Sequence, residues 1–245
     1  MSESVALAIE TSQRAGGVAL RVGPGDAEVR EIAIEPSRRH DDALMPTIAQ
    51  LCRDAGVRPT DLKRIVVDIG PGGFTGLRIA IATVKALAET TGAIIAGVPG
   101  ALVAAEAFGE SDQQTESVLV ASACKGTSFW LTHVGRRDGA WAIRGTPGLV
   151  ESRHFDLSDA SVLLADEHFP DEAAEIAAAS GVRRVTPPFT ATACLRAGDR
   201  LIEHGQSADP LSLAPIYPRP PEAVAKWRER QQGVTSRQDP GQPSP

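Results

Sequence analysis

Two acidic residues and one glycine-rich loop are the parts of this 245-residue chain whose types and spacing suit chemistry. Residues Asp68 to Arg78 read Asp-Ile-Gly-Pro-Gly-Gly-Phe-Thr-Gly-Leu-Arg, after the β-branched run Ile65-Val66-Val67 and before a long alanine-rich stretch. That order is a strand, a tight loop and a helix start. Gly70, Gly72, Gly73 and Gly76 let the backbone take positive φ and approach another group closely, which a Cβ would penalise. Thr75 is placed to cap the helix, whose free N–H groups and positive dipole end then face whatever sits at the loop. Such a turn suits either an anion or a closely packed neighbouring backbone. Glu10 ends the first apolar run, and Asp68 ends a later one in the same way. Acids converging at two strand ends make a candidate magnesium site, with Gly72, Gly73 and Thr75 as the phosphate cradle. Against this, Asp68 is equally suited to capping its own loop. Arg78, one turn into the helix, is placed either to reach a phosphate or partner carboxylate, or to fix the loop through an internal salt bridge.

Other chemistries find less support. The five histidines, His40, His133, His154, His168 and His204, include no pair three or four residues apart, so no helix face presents a metal-binding pair. Cys52, Cys124 and Cys194 are widely spaced and odd in number, which suggests neither a disulfide framework nor a zinc ribbon. Cys124 has no histidine placed by sequence to activate it. A net charge of -6 argues against free-standing nucleic-acid binding, so any RNA must be held mainly by a partner. No signal-peptide pattern opens the chain and no apolar run approaches the roughly 20 residues of a membrane span, so a soluble, cytoplasmic protein is expected.

The elements that must position these residues follow from periodicity. Val5 to Ile9, Gly17 to Val22 and Val29 to Ile34 read as an antiparallel meander. Leu44, Ile48, Leu51, Cys52 and Ala55 then recur at helical spacing, with Asp41 or Asp42 as N-cap, Pro46 near the first turn and Gly56 as the stop. Strand Ile65 to Asp68, a helix from about Leu77 to Thr90 closed by Gly92, and a strand from Ala93 to Gly97 complete the first half. From Ser117 the pattern partly repeats, with strands near 118–121, 128–134, 141–144, 162–165 and 182–185 and helices over 171–180 and 190–203. Three units are expected: a lobe over 1–100, a degenerate second lobe over 101–222, and a polar, disordered tail over 223–245.

The loop, together with Leu7-Ala8-Ile9-Glu10-Thr11-Ser12, Arg39-His40-Asp41-Asp42-Ala43-Leu44-Met45-Pro46 and Pro215-Ile216-Tyr217-Pro218-Arg219, resembles the TsaB (YeaZ) family over roughly Val5 to Ala223. That family supplies the non-catalytic subunit of the bacterial complex making threonylcarbamoyladenosine next to the tRNA anticodon. The resemblance implies an α/β, actin-like (ribonuclease H-like) fold of two lobes, each a mixed sheet flanked by helices. It implies a chain without catalytic residues, metal or cofactor of its own, with ATP or ADP at the junction with TsaD. The implied partners are the catalytic paralogue TsaD, the ATPase TsaE and a second copy of the chain when alone, with tRNA only indirect.

By the same resemblance, TsaD carries a His-x-x-x-His metal pair where this chain offers His40 and Leu44, which leaves no metal site for peptide hydrolysis. The helices over 42–55 and 75–90 become the pairing surface, with Leu44, Ile48, Leu51, Thr75, Arg78, Ala82 and Ala86 as its contacts. The second helix is apolar nearly all round, so either the core or another subunit must cover it. The chain departs from the family at Ser122 to Phe129, where Asp-Ala-Arg and Glu-Val-Tyr are usual, and at Glu10, where Asp is usual. Its first turn, Thr11 to Gly17, also lacks the Asp-x-Gly-x-Thr pattern of actin-like kinases. A scaffold tolerates such losses better than a catalyst does. The alternative reading is an independent actin-like ATPase or small-molecule kinase built on Glu10, Asp68 and the loop.

Overall fold

The computed structural model describes residues 4–25, 27–35, 40–157 and 160–219, without the side chains of residues 40–42. The tail expected over 223–245 and the caps expected at Asp41 and Asp42 therefore lie outside the described residues and side chains.

The first sheet takes its shape from buried β-branched and alanine side chains. Strands β1 (Val5–Glu10), β2 (Gly16–Val22) and β3 (Val29–Ile34) form the expected meander, and β4 (Leu62–Gly70) and β5 (Ile94–Pro99) add in parallel, giving the order β3-β2-β1-β4-β5. Between them run α1 (His40–Asp54) and α2 (Phe74–Thr91), the crossovers that parallel pairing requires. Leu7, Ile9, Leu44, Ile48, Ile65, Val67 and Val84 pack into one core on this side of the sheet. Helix α1 begins at His40, so Pro46 lies inside the helix rather than near its first turn. Helix α2 ends on the left-handed Gly92, as expected, but its N-cap is Gly73, with no side-chain cap. Thr75 is thus a residue of the first turn and caps nothing.

One helix was not foreseen. Helix α3 (Gly100–Ser111) is buried from Gly100 to Gly109, and burial on all sides leaves no apolar and polar faces for periodicity to detect. It packs against β4 and β5 on one side and against β6 (Ser117–Ala123), β7 (Ser128–Arg137) and β8 (Ala140–Glu151) on the other. With β9 (Val162–Ala165) and β10 (Arg183–Val185), these strands form a second five-stranded sheet of order β10-β9-β6-β7-β8. Helix α4 (Asp171–Ala179) covers its outer side, over a core that includes Phe129, Phe155 and Phe169. The architecture is two mixed sheets flanked by helices, the actin-like two-lobed arrangement. None of the described helices is long and apolar enough to cross a membrane.

Helix α5 (Ala191–Glu203), from the second half of the chain, returns to the first sheet and packs on β1, β2, β4 and β5. Gly198 makes that approach possible, since a Cβ there would lie 2.4 Å from Val66 Cγ1. The Glu31 carboxylate accepts N–H groups of Ala191 at 3.0 Å and Thr192 at 2.9 Å, placing a negative charge on the positive end of the helix. Near the other end, Asp199 accepts hydrogen bonds from Arg21 and, at 3.0 Å, from Arg64. Arg21 and Asp199 are 5% and 7% exposed. Removing one member of a buried pair strands the other without water or partner. We expect Asp199→Ala to lower unfolding free energy by about 3–5 kcal/mol in urea titrations. Breaking the surface Arg58–Asp61 pair, in which Arg58 is exposed, with Arg58→Ala should change the urea midpoint little.

Candidate functional site

The glycine loop is seated on backbone. Gly73 N–H donates to the Ser12 carbonyl at 2.7 Å, and a Cβ on Gly72 would lie 2.3 Å from that same oxygen. Thr11 Oγ1 donates to the Gly76 carbonyl at 3.0 Å, tying the turn after β1 to the start of α2. Of the two uses open to such a loop, close backbone packing is the one realised at Gly72.

Glu10 and Asp68 come together beneath this seat, 1% and 0% exposed. Glu10 Oε1 accepts the Ser12 N–H at 2.8 Å and the Ser12 hydroxyl at 2.6 Å. Asp68 Oδ1 accepts the Gly70 N–H at 2.6 Å, the loop-capping role open to it from sequence, while Oδ2 is buried without a hydrogen-bond partner. Burial and then the Asp68 charge push Glu10 up to about 8, and burial pushes Asp68 up to about 6. Among the described residues, no group of three or more His, Cys, Asp and Glu side chains is arranged to hold a metal. The structure places Glu10 and Asp68 as a buried carboxyl pair, and neither lines the cavity above. Cys194 on α5 is fully buried against the pair and donates its S–H to the Ile9 carbonyl at 3.8 Å. Burial, with the charges of Asp68 and Glu10, holds its thiol far above the ordinary range.

Above the loop opens an interlobe cleft of about 750 Å³. Gly72, Gly73 and Thr75 form one wall, and Ser122, Cys124 and Lys125, at the end of β6 and just after it, form the other. Sequence placed the first wall correctly beside a cavity. It gave no reason to join the second wall to it, because about fifty residues and a sheet change intervene. Arg78 makes no ion pair among the described residues. Its Nε donates to the Tyr217 hydroxyl at 2.9 Å, and its guanidinium carbon lies 3.8 Å from the centroid of the Phe74 ring, a cation–π contact. Tyr217 had a signal in the Pro215–Arg219 motif, but nothing in sequence paired it with Phe74.

The residues expected to contact a partner divide by face. Leu44, Ile48 and Leu51 are 1%, 1% and 2% exposed in the first-lobe core, so they cannot touch a partner of the folded chain. Their helical spacing marked the inward face of α1, whose outward face carries Met45 and Pro46. On α2, Leu77, Ala80, Ile81, Val84 and Ala88 point inward, whereas Phe74, Thr75, Arg78, Ala82, Ala86 and Glu89 are exposed.

Comparisons with known proteins agree with this geometry. Residues 32–138 match the family model described as "TsaD: tRNA N6-adenosine threonylcarbamoyltransferase". The "tRNA threonylcarbamoyladenosine biosynthesis protein TsaB" of Bacillus subtilis is 38% identical over 82 residues, 34% of this chain and 35% of that protein. Its Escherichia coli namesake is 27% identical over 157 residues, 62% of this chain and 67% of that protein. The solved structure "YeaZ from Pseudomonas aeruginosa" superposes with a TM-score of 0.72 at 20% identity, covering 87% of this chain and 99% of that one. Together these findings support assigning the chain to the TsaB (YeaZ) family. The matched stretch spans only about a third of the Bacillus relative's length.

The carboxyl pair gives a pH dependence with a definite sign. Between the ordinary carboxylate range and about 8, the folded chain binds more protons at Glu10 and Asp68 than the unfolded chain does, so stability falls as pH rises through that window. Glu10→Gln keeps the Oε1 acceptor for Ser12 and removes one titration. We expect it to flatten the decline by up to about 1.4 kcal/mol per pH unit, measured by urea unfolding from pH 5 to 8.5.

Proposed function

We propose that this chain is the accessory, dimerisation subunit of the machinery that makes threonylcarbamoyladenosine in tRNA, binding and activating the catalytic paralogue TsaD. The observation that carries this reading is the exposed face of α2. Ala82 and Ala86 present small side chains one turn apart, flanked by Arg78 and Glu89, with Met45 of α1, half exposed, nearby on the other crossover helix. Small residues allow another helix to approach closely, and Arg, Met and aromatic residues are enriched at protein interfaces. The names of the Bacillus and Escherichia relatives support the pathway. The burial of Glu10 and Asp68 away from the cleft supports a chain that is not itself the catalyst.

In this reading TsaD supplies metal, threonylcarbamoyl donor and most RNA contacts, in keeping with a net charge of -6 here. TsaE joins the assembly, the chain pairs with itself when alone, and the complex works in the cytoplasm. The chain needs no cofactor of its own, and ATP or ADP sits at the junction with TsaD. One observation favours the alternative of an independent actin-like ATPase: the cleft lies directly above the glycine loop. Magnesium-dependent nucleotide binding by the isolated chain would favour that alternative.

The decisive test is light scattering of Ala82→Arg and Ala86→Arg variants, alone and mixed with TsaD from the same source. Both positions are exposed, so the variants should keep the wild-type urea midpoint while pairing weakens at least about tenfold, the equivalent of about 1.4 kcal/mol. Folded variants that bind TsaD as wild type does would overturn the assignment of this face.

A further inference from the structure

The segment Pro215–Arg219 touches both the start of α2 and the second lobe. After α5 the chain runs back along the first lobe, where Ala208 N–H donates to the Ile95 carbonyl at 2.8 Å. Leu213 is buried in the first-lobe core, and Gly97 leaves room for it, since a Cβ there would lie 2.8 Å from Leu213 Cδ1. Ile216 N–H donates to the Ile69 carbonyl at 2.8 Å. Beyond that bond the chain turns across the cleft. Tyr217 packs beside Phe74, with ring centroids 5.6 Å apart, and accepts the Arg78 hydrogen bond. Arg219 then reaches the second lobe, donating to Ser128 Oγ on β7 and standing 3.9 Å from Glu151 on β8.

The two anchors differ in kind. On the first lobe the segment is fixed by a buried leucine and backbone hydrogen bonds, which are costly to remove. On the second lobe it is fixed by one half-exposed arginine, and exposed ion pairs contribute little. The landing place matters as well. Ser128 donates to the Lys125 carbonyl at 3.2 Å, and the Cys124 N–H donates to the Ser128 carbonyl at 3.0 Å. Arg219 therefore grips the turn that carries the second wall of the cleft. Tyr217, Pro218 and Arg219 themselves line the cavity, and Tyr217 and Arg219 are exposed at its rim.

We propose that Tyr217–Arg219 is a latch across the mouth of the interlobe cleft, closed by the hold of Arg219 on the Ser128 turn and opened when that hold is lost. The hinge lies at α3, which is packed against both sheets and stays in place when the latch opens. Whatever enters the cleft displaces the latch or enters after it has opened. The proposal concerns the isolated chain and stands apart from its pairing with TsaD.

Spin labels on Ala15→Cys and Glu167→Cys, both exposed, on opposite lobes and off the α2 face, report the cleft width in a Cys124→Ser background diluted with unlabelled chain. Pulsed electron paramagnetic resonance should give a narrow distance distribution for this doubly labelled chain. Arg219→Gln should broaden it or lengthen it by several ångströms, with an unchanged urea midpoint. Arg78→Ala, which removes the donor to Tyr217 and leaves the backbone anchors intact, should give a smaller change in the same direction. An unchanged distribution in both folded variants would overturn the latch, as would a wild-type distribution already as broad as that of Arg219→Gln.

Discussion

The contact on which the rest of the structure depends is the Ser12 carbonyl pressed against Gly72 and bonded to Gly73. It fixes the turn after the first strand to the loop after the fourth, and so sets where helix α2 begins. A side chain at Gly72 would overlap the carbonyl oxygen, so the loop could not sit down and α2 would start elsewhere. Everything above this contact is cleft, and everything below it is buried carboxyl. The exposed face of α2 is aimed by the same seat, because the helix leaves the loop directly.

Beneath the seat, two acids are kept out of water at a cost the fold tolerates because one proton can relieve their repulsion. Glu10 supports Ser12 through its hydrogen bonds, and Ser12 in turn receives Gly73. In the structure the hydrogen bonds of Glu10 and Asp68 hold Ser12 and Gly70 in place beneath the loop.

The lobes are bound together by elements that cross between them. Helix α3 lies between the two sheets, α5 returns from the second half to close the first sheet, and the strand-like segment up to Ile216 runs back along the first lobe before reaching for the second. Buried ion pairs at Asp199 and the Glu31 cap on α5 fix the angle of that return, and Gly198 sets its distance. On the cleft side the lobes are joined by the chain between β10 and α5, where Pro187 and Phe189 line the cleft, and by the short crossing at Tyr217–Arg219.

By itself the sequence determined the local elements: the meander of β1 to β3, the helices α1, α2, α4 and α5, the glycine loop, and Gly92 as a helix stop. These are set by side-chain periodicity and glycine conformation, which act over a few residues. It also carried the family resemblance, and with it the two-lobed fold, because the loop motif and its neighbours stand in order along the chain. Helix α3 escaped because it is buried on every side, and periodicity reports only an asymmetry between faces. Only the tertiary structure decided which faces are inside. Leu44, Ile48 and Leu51 recur as a stripe whether the stripe meets a core or a partner, and only packing against β2 and β3 and the first-lobe core made it core. Likewise Glu10 and Asp68 mark strand ends in sequence, but whether strand ends open into a cleft or lie under a loop depends on the backbone of Ser12, a contact across sixty residues. Arg78 found Tyr217 for the same reason: residues 139 apart in sequence meet only when the chain's last described segment folds back over its first lobe.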